Sequence, residues 1–122
     1  GNRGSLSKSC VLDGYLNSIY TFGISSAVES GDLPSYTEEC PYILAATYSG
    51  DDAQRGIVTT NLNSECTSEF KTTAASASLA AGIIALTLEA NPRLTWRDVM
   101  YLIVLTARPN ENQSIGFVQN KR

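Results

Sequence analysis

Two kinds of pattern follow one another along the chain. In its first half, short runs of β-branched and aromatic residues alternate with smaller residues at 18–25, 43–48 and 57–62, and such runs are typical of strands. The segments ESGDLPSYTEE and SGDDAQRG between them are rich in Gly, Pro, Asp and Ser, which favours surface loops. The first half therefore predicts three strands joined by exposed loops.

The second pattern is helical. From about Thr73 the chain is mostly Ala, Leu, Ile and Gly up to Asn91-Pro92, and proline cannot continue the interior of a helix. Because this helix would be apolar on nearly all sides, we expect it to be buried. Thr95 and Asp98 have the spacing of a capping box, which predicts a second helix after Thr95. Three strands followed by two helices indicate part of an α/β layered domain.

Composition limits the classes of partner. The chain has 122 residues, of which 43% are hydrophobic and 17% charged, as expected for one globular domain or part of one. Its net charge is −3 and its nine Lys and Arg are scattered, which argues against nucleic acid or an anionic membrane as partner. The longest apolar run, 79–88, is about half of the roughly 20 residues that a membrane span needs. We expect a core helix there and no membrane span.

The sequence contains no histidine. A Ser-His-Asp or Cys-His site needs an imidazole that accepts and returns a proton near neutral pH, so this chain alone cannot form either. The three cysteines, at positions 10, 40 and 66, are too far apart for paired C-x-x-C zinc ligands. The N-terminal GNRGSLSKSC has no basic stretch followed by an apolar one, so we expect that any secretory signal has been lost or lies upstream.

Five segments carry a family resemblance: DGYLNSIYT, TEEC, IVTTNL, LAAGIIALTLEANP and LTWRDV. In this order they resemble the subtilisin-like serine proteases (peptidase S8 type), specifically the kexin and furin type proprotein convertases. The resemblance implies that residues 1–122 are the C-terminal portion of a subtilisin-like three-layer domain, with a mostly parallel sheet and a buried helix of the nucleophile type. The catalytic Asp and His of that family belong to a more N-terminal part, which this sequence lacks.

The nucleophile of the family lies in H-T-G-T-S-A-S-A-P, and this chain has FKTTAASAS at 70–78. The following LAAG fixes the register and places Ala74 at the nucleophile position. A methyl group cannot attack a carbonyl carbon. Ser76 is rotated by roughly 200° from Ala74 along a helix and Ser78 lies about one turn further in, so we expect both hydroxyls to be hydrogen-bonded within the packing.

Other positions around the nucleophile also depart from the family. Phe70 replaces the family's His, Thr72 its Gly and Ser78 its Pro. Asn2 matches the oxyanion-hole asparagine, and Arg3 replaces a Gly of the same turn. Several departures together favour natural loss of the site over an engineered change. They imply a pseudoprotease that acts by binding or as a structural part. The alternative from the resemblance is a calcium-dependent serine endopeptidase that cleaves after basic residues.

The resemblance also assigns a pocket residue and a disulfide. Asp13 matches the acid beneath a substrate arginine, where a carboxylate binds guanidinium in a fork. An equally supported alternative is that Asp13 caps the turn at Gly14. Cys10 and Cys40 match a disulfide of the family, and Cys66 matches a cysteine whose partner lies upstream.

Calcium is the cofactor that the family implies. Glu38 matches one ligand, but Lys8 stands at the position of another. Calcium needs six to eight oxygen ligands, and an ammonium group offers none, so we expect no bound cofactor. Lys8 either reaches Glu38 or points into solvent.

The expected partner is a peptide or a protein, and one candidate is the missing N-terminal part of the same domain. The resemblance implies the secretory pathway or the extracellular space, and the sequon at Asn112 is consistent with both.

Overall fold

The computed structural model describes residue 10 and residues 13–108. They form four strands, a short 3₁₀ turn and two helices, which confirms the α/β class. The elements are β1 (Gly23–Ala27), β2 (Ile43–Tyr48), β3 (Ile57–Thr60), the 3₁₀ turn (Leu62–Ser64), β4 (Cys66–Phe70), α1 (Thr72–Ala90) and α2 (Trp96–Thr106).

Strands β1 and β2 form a parallel pair, in which Ile24 lies opposite Ala45 and Ala27 opposite Tyr48. Helix α1 packs on both strands and α2 packs on β2. Gly23 lets β1 begin close to the segment that enters β2, since a Cβ at this position would lie 2.5 Å from the Tyr42 carbonyl oxygen. This parallel pair and the start of α1 form the packed centre of the described chain.

Strands β3 and β4 form a separate antiparallel hairpin. Among the residues that the structure describes, the strands thus form one parallel and one antiparallel pair. Strand β4 was not predicted because its sequence CTSEF is largely polar and becomes a strand by pairing with β3. Asn63 and Ser64 in the connecting turn have φ of 57° and 60°, a left-handed conformation that asparagine tolerates better than most residues.

The first strand begins later than predicted. The run at 18–25 was expected to be extended, but the strand covers Gly23–Ala27. The Thr21 hydroxyl donates to the carbonyl oxygens of Tyr15 at 2.8 Å and Ser18 at 2.9 Å. Side-chain hydrogen bonds of this kind compete with strand pairing, and they keep 18–21 in turns. The prediction was wrong there because it rested on residue type alone.

Both helices lie where the sequence places them. Helix α1 ends at Ala90, directly before Asn91-Pro92. The capping box of α2 is confirmed, because the Asp98 amide donates to Thr95 Oγ1 at 3.2 Å and the Thr95 amide donates to Asp98 Oδ2 at 2.8 Å.

The prediction that α1 is buried is correct only for its first turns. Its buried residues are Ala75, Ser76 and Ala80, whereas Ile83 is 58% and Leu86 67% exposed. The reason is geometric: the strands of this chain cover one face of the helix near its start, and the described residues do not cover the rest.

Helix α1 is also longer than its apolar run suggests. At 19 residues and a mean hydropathy of 1.5, it could cross a bilayer as far as length and composition are concerned. The core helices of soluble proteins satisfy the same criteria, and the first turns of α1 pack against strands. A core helix without a membrane span stays a prediction, although the length of the apolar run does not argue for it, since the helix has 19 residues.

Candidate functional site

The candidate site lies at the start of α1, directly after β4. Ala74 is exposed in the first turn. Thr72, two residues earlier, has a φ of 74°, which a β-branched residue adopts only under constraint. The Ala74 amide donates to Thr72 Oγ1 at 3.4 Å. The side chain of Ala74 is a methyl group, so this turn presents no nucleophile at that position.

A set of buried hydroxyl contacts fixes the start of α1 to the strands. The Ser26 and Ser76 hydroxyl oxygens are 2.7 Å apart, and both residues are fully buried. Ser76 Oγ also lies 3.2 Å from the Thr47 carbonyl oxygen and 3.3 Å from that of Tyr48. The Thr47 hydroxyl donates to the Ser76 carbonyl oxygen at 2.7 Å. Ser76 is therefore hydrogen-bonded in the core and turned away from the exposed Ala74.

Ser49 extends these contacts to the first residue of the helix. Its hydroxyl donates to the Thr72 carbonyl oxygen at 2.9 Å, and its amide donates to the Ala27 carbonyl oxygen at 2.8 Å. We call Ser26, Thr47, Ser49, Thr72 and Ser76 the hydroxyl network. Sequence reasoning missed Ser26, Thr47 and Ser49, whose only signal is a small polar residue within or after a strand that packs on a helix.

The second candidate for a replacement nucleophile is also occupied. Ser78 Oγ donates to the Ala74 carbonyl oxygen at 2.9 Å within the helix. The prediction of hydroxyls satisfied within the packing is confirmed for Ser76, which is fully buried. The Ser78 hydroxyl is also hydrogen-bonded, but its residue is exposed, so the prediction of packing is wrong there.

The loop after Cys10 forms a second group of predicted residues. Asp13 Oδ1 accepts hydrogen bonds from the Tyr15 and Leu16 amides, each at 3.0 Å, so Asp13 caps the turn. A role in binding a substrate arginine stays a prediction. The structure contains the disulfide between Cys10 and Cys40 that the resemblance implies, and it ties this loop to the segment that enters β2.

Two carboxylates approach a tyrosine beside this disulfide. Partial burial, followed by the negative charges of Glu38 and Asp13, raises the pKa of Tyr42 above its usual value. Glu38 Oε2 lies 3.5 Å from the Cys40 sulfur. Cys10, Glu38 and Cys40 are close enough to share a metal ion, but the two cysteines are bonded to each other and offer no thiolate. Among the described residues this group leaves one carboxylate, which does not by itself supply the six to eight oxygens of a calcium ion.

Comparison with known proteins decides the family. Residues 1–119 match the subtilase family, Peptidase_S8. This chain belongs to the subtilase family. It is 56% identical over 110 residues to Furin of Mus musculus and of Homo sapiens. It is 52% identical over 111 residues to proprotein convertase subtilisin/kexin type 5 of Branchiostoma californiense. These findings confirm the resemblance to kexin and furin type convertases.

This chain spans only a small part of the length of these subtilase relatives. The match covers 89% of this chain but 14% of each Furin, and 90% of this chain but 6% of the Branchiostoma protein. The activities and partners of those proteins therefore do not pass to this chain by similarity alone.

Four further residues of interest lie outside the part of this subtilase chain that the structure describes: Asn2, Arg3, Lys8 and Asn112. The contact between Lys8 and Glu38 and the position of Asn2 thus stay predictions. Cys66 is described, exposed and without a disulfide bond to another described cysteine, consistent with the expectation that it does not pair within this chain.

Proposed function

We propose that this chain is a catalytically inactive homologue of the proprotein convertases, which acts by binding a peptide or protein or as a structural part of a larger assembly. The observation that supports this proposal is the exposed Ala74 in the first turn of α1. The hydroxyl network holds this turn in place, and the side chain at position 74 carries no nucleophilic atom, which supports a role without catalysis.

Three facts argue against chemistry by another route. The sequence has no histidine to serve as a general base. Ser76 is fully buried, and the Ser78 hydroxyl is bonded to the helix backbone. A nucleophile needs both access to the substrate and a nearby base, and neither serine has access and a base together.

Two surfaces support a binding role. Asp13 and Glu38 place negative charge around Tyr42 beside the disulfide, which suits a peptide with basic side chains. The apolar side chains of α1 and α2 that face outward suit the N-terminal part of a subtilase domain. The disulfide and the convertase relatives support a location in the secretory pathway or outside the cell, and the donor set near Glu38 supports the absence of a resident metal.

The alternative is a calcium-dependent serine endopeptidase that cleaves after basic residues. The observation that favours it is the 56% identity to Furin. It requires a nucleophile at Ala74 or an equivalent hydroxyl, and the described residues around α1 provide neither.

A cleavage assay separates the two functions. We expect the purified protein not to cleave a multibasic fluorogenic peptide, and we expect the Ala74→Ser variant to stay inactive because Phe70, Thr72 and the missing imidazole still prevent catalysis. A fluorophosphonate that labels active serines serves as the second readout. Turnover by the wild-type protein that this reagent abolishes in proportion to its labelling would contradict the proposal.

A further inference from the structure

We propose that the loops after β1 and β2 form an ionic latch, which closes the carboxyl edge of the parallel strand pair and opens as the ionic strength rises. The latch consists of Glu29 and Ser30 after β1 and of Gln54 and Arg55 after β2. A latch of this kind acts whether or not this chain binds or cleaves a substrate.

Both loops leave the same edge of the sheet. Strands β1 and β2 are parallel and end side by side, with Ala27 opposite Tyr48. In open α/β sheets this carboxyl edge is where a crevice opens between adjacent loops. Ser49, the first residue after β2, is buried there and bonds to Thr72 at the start of α1. A contact that joins the two loops therefore spans this edge.

The side chains of Gln54 and Arg55 reach across to the loop after β1. Arg55 and Glu29 form a fork, in which Arg55 Nε donates to Glu29 Oε2 at 3.0 Å and Nη2 donates to Oε1. Gln54 Oε1 accepts from the Ser30 amide at 3.2 Å, and Gln54 Nε2 donates to Ser30 Oγ at 3.1 Å. Two consecutive residues of one loop thus bind two consecutive residues of the other.

The loop after β2 is shaped by its own backbone. Asp51 Oδ1 accepts from the amides of Ala53 and Gln54, each at 2.8 Å, which fixes the turn before Arg55. At the base of the loop, a Cβ at Gly50 would lie 2.3 Å from the Arg55 carbonyl oxygen, so glycine allows the two ends to meet. Because the loop is already ordered in this way, little further entropy is lost when the latch closes.

The latch depends on charge because its strongest contact is an ion pair at the surface. The side chain of Arg55 is 81% exposed and that of Glu29 60%. The hydrogen bonds and the charge of Arg55 lower the pKa of Glu29, so the pair is ionised at neutral pH. An exposed pair contributes measurably when its geometry is a fork, and dissolved ions screen its attraction. Added salt should therefore open the latch.

Hydrogen exchange, measured by NMR in the intact protein, tests the latch. The Ser30 amide reports the contact between the loops, and the Ser49 amide, which donates to the Ala27 carbonyl oxygen at 2.8 Å, reports the edge. In Arg55→Gln both amides should exchange about two- to fivefold faster than in the wild-type protein. Arg93→Gln removes the same charge at an exposed arginine outside the latch and should leave both rates close to those of the wild-type protein.

Ionic strength is the second variable of the test. Raising sodium chloride from about 0.05 M to about 0.5 M should bring the wild-type Ser30 and Ser49 rates close to those of Arg55→Gln, because the ion pair is then screened. The Ala80 amide, in the buried part of α1, reports whether the fold is kept. A Ser30 rate that changes with neither salt nor Arg55→Gln would overturn the latch. Faster exchange at Ser30 alone, with an unchanged rate at Ser49, would overturn the closure of the edge.

Discussion

The two ends of α1 differ in how the chain holds them. At the start, Ser76 is bonded to Ser26 and Thr47 of the parallel strands, and Thr72 to Ser49 directly after β2. Further along the helix, large apolar side chains face outward, as at Ile83 and Leu86. One end is fixed by specific polar contacts within this chain, and the other presents a surface that the described residues do not cover.

This difference separates the contacts that hold the first turn of α1 from the identity of the residue at position 74. The hydroxyl network stabilises the turn whether or not a nucleophile occupies position 74, because its hydrogen bonds run between the strands and the helix. The exposed half of α1 has the composition of a core helix but lacks packing partners among the described residues. We infer that the fixed end defines the shape of the site and that the open half is available to a partner.

The largest expected effect comes from the disulfide, which fixes the segment that enters β2. The double substitution Cys10→Ser and Cys40→Ser should lower the free energy of unfolding by about 3 kcal/mol, because the bond closes a loop across a separation of 30 residues. Urea denaturation of the intact protein measures this change. Cys66→Ser, at the exposed free cysteine, is the control and should leave stability within about 0.5 kcal/mol. A loss below about 1 kcal/mol in the double variant would contradict the prediction.

The next effect tests the hydroxyl network directly. Ser76→Ala should cost about 1 to 3 kcal/mol, since it removes the partner of the buried Ser26 hydroxyl. Ser26→Ala should cost less, about 0.5 to 1.5 kcal/mol, because Ser76 keeps the Thr47 and Tyr48 carbonyl oxygens. The double variant should cost less than the sum of the two single losses by at least about 0.5 kcal/mol. The reason is that, with both hydroxyls removed, neither is left buried without its partner.

Substitution in the exposed half of α1 provides the control for the substitutions at Ser26 and Ser76. Leu86→Ala changes a residue that is 67% exposed and should alter stability by no more than about 0.5 kcal/mol. Additive losses at Ser26 and Ser76, or an equally large loss at Leu86, would show that the two ends of α1 do not differ as described.

The same division explains what the sequence could predict. The end of α1 before Pro92 and the capping box of α2 were predicted correctly, because each feature is determined by residues only a few positions apart in the sequence. Ala74 was found because the following LAAG fixes the register. The Ser26 contact was missed because its partner lies 50 residues away, and strand β4 was missed because pairing with β3 defines it. Contacts between distant segments leave little trace in local composition.

The smallest expected effect concerns the capping box of α2, a local device that does not depend on the packing of either end of α1. The pKa of Asp98 is lowered by the hydrogen bond from the Thr95 amide and then by that from the Thr95 hydroxyl. A carboxyl whose pKa is lowered on folding stabilises the protein above its unfolded pKa of about 3.9, and that contribution is lost as the pH falls through the lower folded value. Asp98→Asn should therefore reduce the dependence of the unfolding free energy on pH between about pH 5 and pH 3. Thermal denaturation across this range measures the slope, with Glu89→Gln, an exposed charge near the end of α1, as the control for loss of one negative charge. A slope in Asp98→Asn equal to that of the wild-type protein, or an equal decrease in Glu89→Gln, would show that the acid sensitivity does not come from the cap.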